Sequence, residues 1–112
     1  MNIAKILTSY ATQDGDGVNI SRIPGFDGKY LDPFLMIDEL KSDNEADYMG
    51  GFPAHPHRGM ETFTYIIKGG FEHKDQMGNK KAIRAGDVQW MSTGNGVIHS
   101  EMPLPDAKDG LH

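Results

Sequence analysis

Apolar and polar residues alternate, or β-branched and aromatic residues cluster, in several short segments of this chain, and glycine-rich turns separate those segments. Alternation with a period of two is typical of a β-strand that buries one face. The segments predicted as strands are Val18–Ile23, Glu61–Ile67, Phe71–Lys74, Lys80–Arg84, Val88–Met91 and Val97–Met102. No segment has the long repeat of an amphipathic helix. We therefore predict an all-β domain, either a sandwich or a barrel.

The segments that connect the predicted strands add detail to the predicted all-β fold. Phe71–Lys74 and Lys80–Arg84 are predicted to form a hairpin, because the Gly78-Asn79 pair in their link tolerates positive φ. The apolar run Pro33–Leu40 is either a buried strand or a short helix, and periodicity does not distinguish the two. The polar and acidic stretch Lys41–Tyr48 is predicted to be a surface loop.

Composition excludes several classes of function. A length of 112 residues fits one domain. With 16 acidic and 11 basic residues the chain lacks the basic face that a nucleic-acid-binding protein needs, so we expect no direct nucleic-acid contact. Cysteine is absent, so any metal must be held by nitrogen and oxygen ligands. Residues 1–10 resemble neither a secretory signal nor a membrane span, so a cytoplasmic location without membrane association is expected.

Two short motifs carry candidate metal ligands. His55 and His57 flank Pro56, and His99 and Glu101 flank Ser100, so that each pair is spaced i, i+2. Side chains at i and i+2 of a strand point to the same face. If the two strands are neighbours, the four ligands converge on one interior point. The sequence therefore predicts a metal site made of His55, His57, His99 and Glu101.

The ligand types suit Fe(II), Mn(II), Ni(II), Cu(II) or Zn(II), and a set of histidines with one carboxylate and open positions is typical of non-haem iron enzymes that handle oxygen. Pro56 cannot donate a ladder hydrogen bond, so it belongs at an edge, a strand start or a bulge. This favours a position of the first pair near the mouth of a barrel, with the loop Gly94–Gly96 at the same rim.

Other polar residues near these motifs receive weaker interpretations. Glu61 lies four residues past His57 and could itself be a ligand, but it is interpreted as a residue that contacts the ligands, ahead of a plain structural role. Arg58 is interpreted as either a rim contact or a surface charge. His73 lies between two charged residues and is interpreted as solvated. His112 is terminal and is expected to be disordered.

Three large apolar residues lie close to the motifs. Trp90 and Met91 are expected in the core rather than at a cofactor. Phe52 is interpreted as either a core residue or the wall of a pocket.

Long stretches of the chain resemble the pirins, a branch of the cupin superfamily. Gly51–Gly70 (GFPAHPHRGMETFTYIIKGG) and Ala85–Pro103 (AGDVQWMSTGNGVIHSEMP) are similar to two pirin signatures, and Leu31–Leu40 is similar to a segment near the pirin N-terminus. The resemblance extends over the chain from about residue 21. It implies a cupin jelly roll, a double-stranded β-helix barrel, with one iron. Carried over residue by residue, the implied ligands are His55, His57, His99 and Glu101.

The resemblance also implies an activity. Several pirins are similar to quercetin 2,3-dioxygenase and cleave flavonols with O₂, and Glu101 would then accept the proton of the substrate hydroxyl as a general base. Pirin-like proteins of animals are transcription co-regulators whose iron state alters partner binding, and bacterial relatives regulate metabolic enzymes. Our leading hypothesis is an iron-dependent dioxygenase for flavonol-like phenols. The alternative is an iron-dependent regulatory module that binds a protein partner.

This chain departs from the pirin pattern in one respect. Pirins contain two cupin domains, whereas residues 1–112 are expected to form a single N-terminal cupin domain, with an incomplete barrel and no second cupin. Open sheets expose edges that pair with other chains. We therefore expect a homodimer formed by strand exchange.

Overall fold

The fold is built almost entirely from β-strands. The computed structural model describes residues 3, 5–26, 31–106 and 108–112. Over these residues the strands are β1 (Tyr10–Asp14), β2 (Val18–Arg22), β3 (Asp38–Glu39), β4 (Phe52–His57), β5 (Glu61–Tyr65), β6 (Gly70–Asp75), β7 (Lys80–Arg84), β8 (Val88–Ser92) and β9 (Val97–Pro103). One short 3-10 helix, Glu45–Asp47, lies between β3 and β4. The predicted all-β class is confirmed.

The strands form three antiparallel sheets. Their orders are β1-β2-β3, β4-β9-β6-β7 and β5-β8. The strands of the described ranges do not close into one hydrogen-bonded ring, so the jelly roll is open, as expected from the sequence. Long connections separate β4 from β9 along the chain, and their pairing places the two histidine motifs on neighbouring strands.

The strands predicted from alternation are present within one or two residues of the predicted bounds. The β6–β7 hairpin turns through Gly78, whose φ of +85° is one that side chains other than glycine rarely adopt. The β1 strand was not predicted, because its sequence YATQD is polar and largely exposed. It forms because Tyr10–Asp14 pairs along its whole length with β2.

The apolar run Pro33–Leu40 is neither a buried strand nor a helix. Only Asp38 and Glu39 pair with β2, and Phe34 and Leu35 are 60% and 67% exposed. β3 is the outer strand of its sheet, and Leu40 at the end of the run packs, partly buried, against the core. Hydrophobicity alone therefore overstated the burial of this run, because burial also needs a second surface to pack against.

A small core joins the sheets. Its buried members are Val18, Ile20, Tyr48, Ile66, Phe71, Ile83 and Leu111. The stretch Lys41–Tyr48 is mostly exposed as predicted, but it ends on Tyr48, whose side chain is fully buried. The core therefore draws on loop residues as well as on strands.

The C-terminal residue His112 is ordered, contrary to expectation. Its backbone exchanges two hydrogen bonds with Lys68, of 2.9 and 3.0 Å, and its Nε2 lies 2.8 Å from the Glu39 carboxylate. These contacts fix the terminus against the β5–β6 connection. Among the described residues there is also no helix of the length and apolar character that a membrane span requires.

Trp90 is not a core residue, although the sequence suggested it. Its side chain is 69% exposed on β8, opposite Phe63 of β5, which is 64% exposed. The next residue, Met91, points to the other face and is half-buried. The outer face of the two-stranded sheet is therefore aromatic and open to solvent.

Candidate metal centre

Three histidines meet on the inner face of the four-stranded sheet. His55 of β4 lies directly opposite His99 of β9, and His57 lies opposite Val97. The ring centroids of His55, His57 and His99 are 4.4 to 4.8 Å apart. A bulge between Phe52 and His55 shifts the register of β4, and bulges of this kind commonly re-aim side chains beside functional sites. Three imidazoles from two strands thus share one small space.

The free nitrogens of these rings suit a metal ion. One ligand nitrogen from each of the three rings lies within 4.8 Å of the others. The Nδ1 of His55 is 2.7 Å from the carbonyl oxygen of Pro53, to which it donates, so Nε2 carries the lone pair. The Nε2 of His99 is buried and has no hydrogen-bond partner among the described residues. A buried nitrogen without a partner is costly unless something else binds it.

Burial favours the neutral form of His57 and His99. Desolvation, with smaller contributions from the neighbouring His55, His57 and His73, lowers the pKa of His99 to about 4. Desolvation also lowers the pKa of His57, with a smaller effect from His55. Neutral imidazole is the form that ligates metals, so at neutral pH both residues are ready to bind without losing a proton.

The carboxylate of Glu101 lies close to the imidazole of His99. Its Oε1 is 3.9 Å from the Nδ1 of His99, and together with His73 and His99 it forms a second compact group of potential ligands. Burial raises the pKa of the Glu101 carboxyl, while His55 lowers it by a smaller amount. The structure therefore brings His55, His57 and His99 into one group and places Glu101 in a group that shares His99.

His73 is buried, so its interpretation as a solvated residue is wrong. It is 5% exposed, and its Nδ1 lies 3.3 Å from the Nδ1 of His99. On β6 it alternates with Glu72 and Lys74, which point to the opposite, outer face. Those charged neighbours suggested a solvated strand, whereas period-two alternation required His73 to face inward.

Comparison with known proteins identifies the fold. Residues 18–112 match the sequence profile of the family Pirin. The chain belongs to the pirin family. A protein of Vibrio cholerae named "putative quercetin 2,3-dioxygenase" is 58% identical over 91% of this chain, and a pirin-like protein of Caulobacter vibrioides is 47% identical over 93% of it. The chain spans 36% and 38% of these two relatives, which is little more than a third of their length.

Two solved structures share the fold. A crystal structure of quercetin 2,3-dioxygenase from Acinetobacter baumannii superposes with a TM-score of 0.76 at 35% identity, over 94% of this chain and 38% of that one. A crystal structure of a Geobacillus kaustophilus protein gives a TM-score of 0.78 at 33% identity, over 99% of this chain and 42% of that one. The open all-β domain is therefore a cupin jelly roll of the pirin type.

Two further predictions for this pirin domain have different outcomes. Glu61 does not support the metal ligands: it is exposed on β5, lies outside both ligand groups, and its Oε2 accepts a hydrogen bond of 3.1 Å from the indole of Trp90. The Gly94–Gly96 loop does lie beside the first motif, because the Gly59 amide donates to the Gly94 carbonyl at 2.9 Å. Arg58, between them, is exposed.

Phe52 is resolved as a core residue. It packs against the buried cluster, with its ring centroid 6.1 Å from that of Phe71. It precedes the β4 bulge and is paired with Glu101 in the register of β4 and β9.

Proposed function

We propose that this pirin domain holds one iron ion at His55, His57, His99 and Glu101 and that it belongs to a dioxygenase acting on flavonol-like phenols. The observation that carries the proposal is the convergence of the imidazoles of His55, His57 and His99, together with the buried Nε2 of His99, which has no hydrogen-bond partner among the described residues. Mn(II), Ni(II), Cu(II) and Zn(II) fit the same nitrogen and oxygen donors. Iron is preferred because a histidine-rich set with one carboxylate suits oxygen chemistry.

His55 and His99 would have different roles at such a site. His55 is held in the ligating tautomer by its hydrogen bond to the Pro53 carbonyl, and ligating histidines in metalloproteins are commonly held in this way. His99 and its surroundings exclude water, because His99 is only 3% exposed. An iron ion bound there would supply Lewis acidity toward the oxygens of the substrate and redox chemistry toward O₂.

Glu101 is the candidate general base. Its raised pKa makes the carboxylate a stronger acceptor for the hydroxyl proton of a phenol than an ordinary glutamate. The proton would move from the substrate hydroxyl to a Glu101 carboxylate oxygen, leaving a phenolate. The names of the Vibrio cholerae relative and the Acinetobacter baumannii structure support quercetin-like substrates.

The test combines metal analysis with oxygen uptake. The protein is loaded anaerobically with Fe(II), its iron content is measured by elemental analysis, and O₂ consumption is followed with quercetin and with no substrate. We expect about one iron per chain and quercetin-dependent O₂ uptake. Iron-loaded protein that consumes no O₂ beside an active control dioxygenase would remove the dioxygenase proposal and leave the metal site standing.

A second candidate function is an iron-dependent module that regulates a protein partner, such as a transcription complex or a metabolic enzyme. The exposed aromatic face of β5 and β8 favours it, because exposed apolar patches commonly mark protein interaction sites. Affinity capture with iron-loaded and metal-free protein would separate the two functions. A partner recovered in only one iron state, together with no turnover of phenols, supports regulation.

A further inference from the structure

His73 is a buried histidine that has no role in the proposed chemistry. It lies in β6, two strands away from β4, and is 5% exposed. In the register of β6 and β9 it faces Glu101 directly and His99 diagonally. Diagonal neighbours on one face of a sheet are within reach of long side chains. The pairing of β6 with β9 therefore places the imidazole of His73 beside that of His99, with ring centroids 5.0 Å apart.

The two nitrogens of His99 have different surroundings. Nε2 is buried without a partner among the described residues, whereas Nδ1 lies 3.3 Å from the Nδ1 of His73. A neutral imidazole has one N–H donor and one lone pair. If Nε2 is to bind a metal, it must carry the lone pair, and the proton of His99 must then be on Nδ1.

A buried Nδ1–H of His99 needs an acceptor. The carboxylate of Glu101 is 3.9 Å from this nitrogen, which is beyond hydrogen-bond range, whereas the Nδ1 of His73 is within it. His73 can accept only if its own proton is on Nε2. A hydrogen bond between the two Nδ1 atoms thus requires His99 to be protonated on Nδ1 and His73 to be protonated on Nε2.

We propose that His73 is a positioning residue, whose Nδ1 lone pair accepts the Nδ1–H of His99 and holds His99 in the tautomer that leaves Nε2 free for the metal. This inference rests on the proposed metal centre. His99 and His55 then follow one scheme, in which each ring is fixed through Nδ1, by His73 in one case and by the Pro53 carbonyl in the other. Partners of this kind orient ligating histidines and raise their basicity.

Two substitutions separate hydrogen bonding from packing. His73→Asn keeps an acceptor, because Asn Oδ1 is as many bonds from Cα as histidine Nδ1. His73→Leu fills the site with an apolar side chain and offers no acceptor. Zinc affinity is measured by competition with a chromophoric chelator, and circular dichroism verifies that each metal-free variant is folded. We expect zinc affinity to fall roughly 10- to 100-fold in His73→Leu and to stay within a few-fold of wild type in His73→Asn.

Long-range ¹H–¹⁵N NMR of the zinc-loaded wild type reads the tautomers directly. We expect His99 protonated on Nδ1 and His73 protonated on Nε2. A His73 protonated on Nδ1 would overturn the proposal. So would folded His73→Leu protein that binds zinc as tightly as wild type, or His73→Asn protein as weak as His73→Leu.

The outcomes also separate this inference from the metal centre itself. Wild-type protein that binds no zinc overturns the metal centre and the positioning role together. Wild-type protein that binds zinc while His73→Leu is unimpaired overturns the positioning role alone. Two zinc ions per chain, the second lost in His73→Leu, would show that His73 is a ligand with Glu101 and not an acceptor for His99.

Discussion

His57 offers the most direct test of the metal centre at the scale of a single residue. Its ring lies 4.8 Å from those of both His55 and His99, so its removal takes away one of three converging nitrogens. We expect His57→Ala to lose stoichiometric iron or zinc, measured by elemental analysis of folded protein. His112→Ala is the matched control, because His112 contacts Glu39 and belongs to neither group of potential ligands. Equal metal content in both variants would contradict the site.

The sequence predicts a solvated His73, whereas the structure buries it against His99. A variant of His73 is therefore unsuitable as a control for metal binding. The difference shows why a single residue is hard to interpret from its neighbours in sequence. Glu72 and Lys74 mark one face of β6, but the partner of the other face comes from β9, 26 residues away along the chain.

Asp47 provides a pH test of a single carboxylate. Its pKa lies below the ordinary value of 3.8 because the Ser42 hydroxyl and the Asn19 amide both donate to its oxygens. A lowered pKa stabilises the fold above the unfolded-state pKa, and this stabilisation is lost as the pH falls through the folded-state value. We expect Asp47→Asn to be less stable than wild type at pH 7, with a gap that narrows below pH 3.8 in urea denaturation. A gap that does not change with pH would refute this assignment.

At the scale of an element, the β4–β9 pairing depends on Gly51, which precedes β4. Its φ is +63°, and a Cβ there would lie 2.7 Å from Met102 Sδ and 3.0 Å from the Glu101 carbonyl. Gly51→Ala should therefore destabilise the domain by about 1 kcal/mol or more and weaken metal binding by displacing Glu101. Gly17→Ala is the matched control, with a φ of +71° and nothing within 4 Å. Equal loss of stability and unchanged metal affinity in both variants would show that only backbone strain matters.

The sequence predicted elements better than it predicted their surroundings. Alternation located β2 and β5 to β9, and the i, i+2 spacing placed each ligand pair on one strand face, because both features depend on local geometry alone. It did not locate β1, whose polar residues gain order only by pairing with β2. It also did not predict the exposure of Trp90 or of the Pro33–Leu40 run, because burial is decided by whether a second layer covers a strand.

Local geometry predicted each pair of candidate ligands, but not that the two pairs lie on neighbouring strands. His55 and His99 are 44 positions apart, and only the resemblance to pirins, not periodicity, indicated that their strands are neighbours. The grouping of Glu101 with His73 and His99 could not be predicted, since it depends on side-chain torsions within a packed sheet.

At the scale of the whole molecule, the core is small and each member should count. Ile66 is 2% exposed and follows β5, where it joins the two-stranded sheet to the rest of the core. Ile66→Ala should lower the free energy of unfolding by about 2–5 kcal/mol, and Ile66→Val by about 0.5–1.5 kcal/mol. Chemical denaturation of wild type and both variants measures these two losses of unfolding free energy. A loss below about 1 kcal/mol for Ile66→Ala would mean that the two-stranded sheet is not packed on this core.

The outer face of β5 and β8 leads to a prediction about assembly. Phe63, Tyr65 and Trp90 are 64%, 56% and 69% exposed on adjacent positions, and each strand also has an unpaired edge. Apolar faces and free edges favour association with another copy, so we expect a concentration-dependent homodimer by native mass spectrometry. Trp90→Lys should shift the equilibrium toward monomer, because a lysine ammonium must be desolvated to enter an apolar interface.

Met77→Lys is the control, since Met77 is 80% exposed in the β6–β7 turn, which belongs to a different sheet. Dimers that persist unchanged in Trp90→Lys would place the interface elsewhere, and hydrogen exchange at the outer edge strands would then test whether strand exchange forms it.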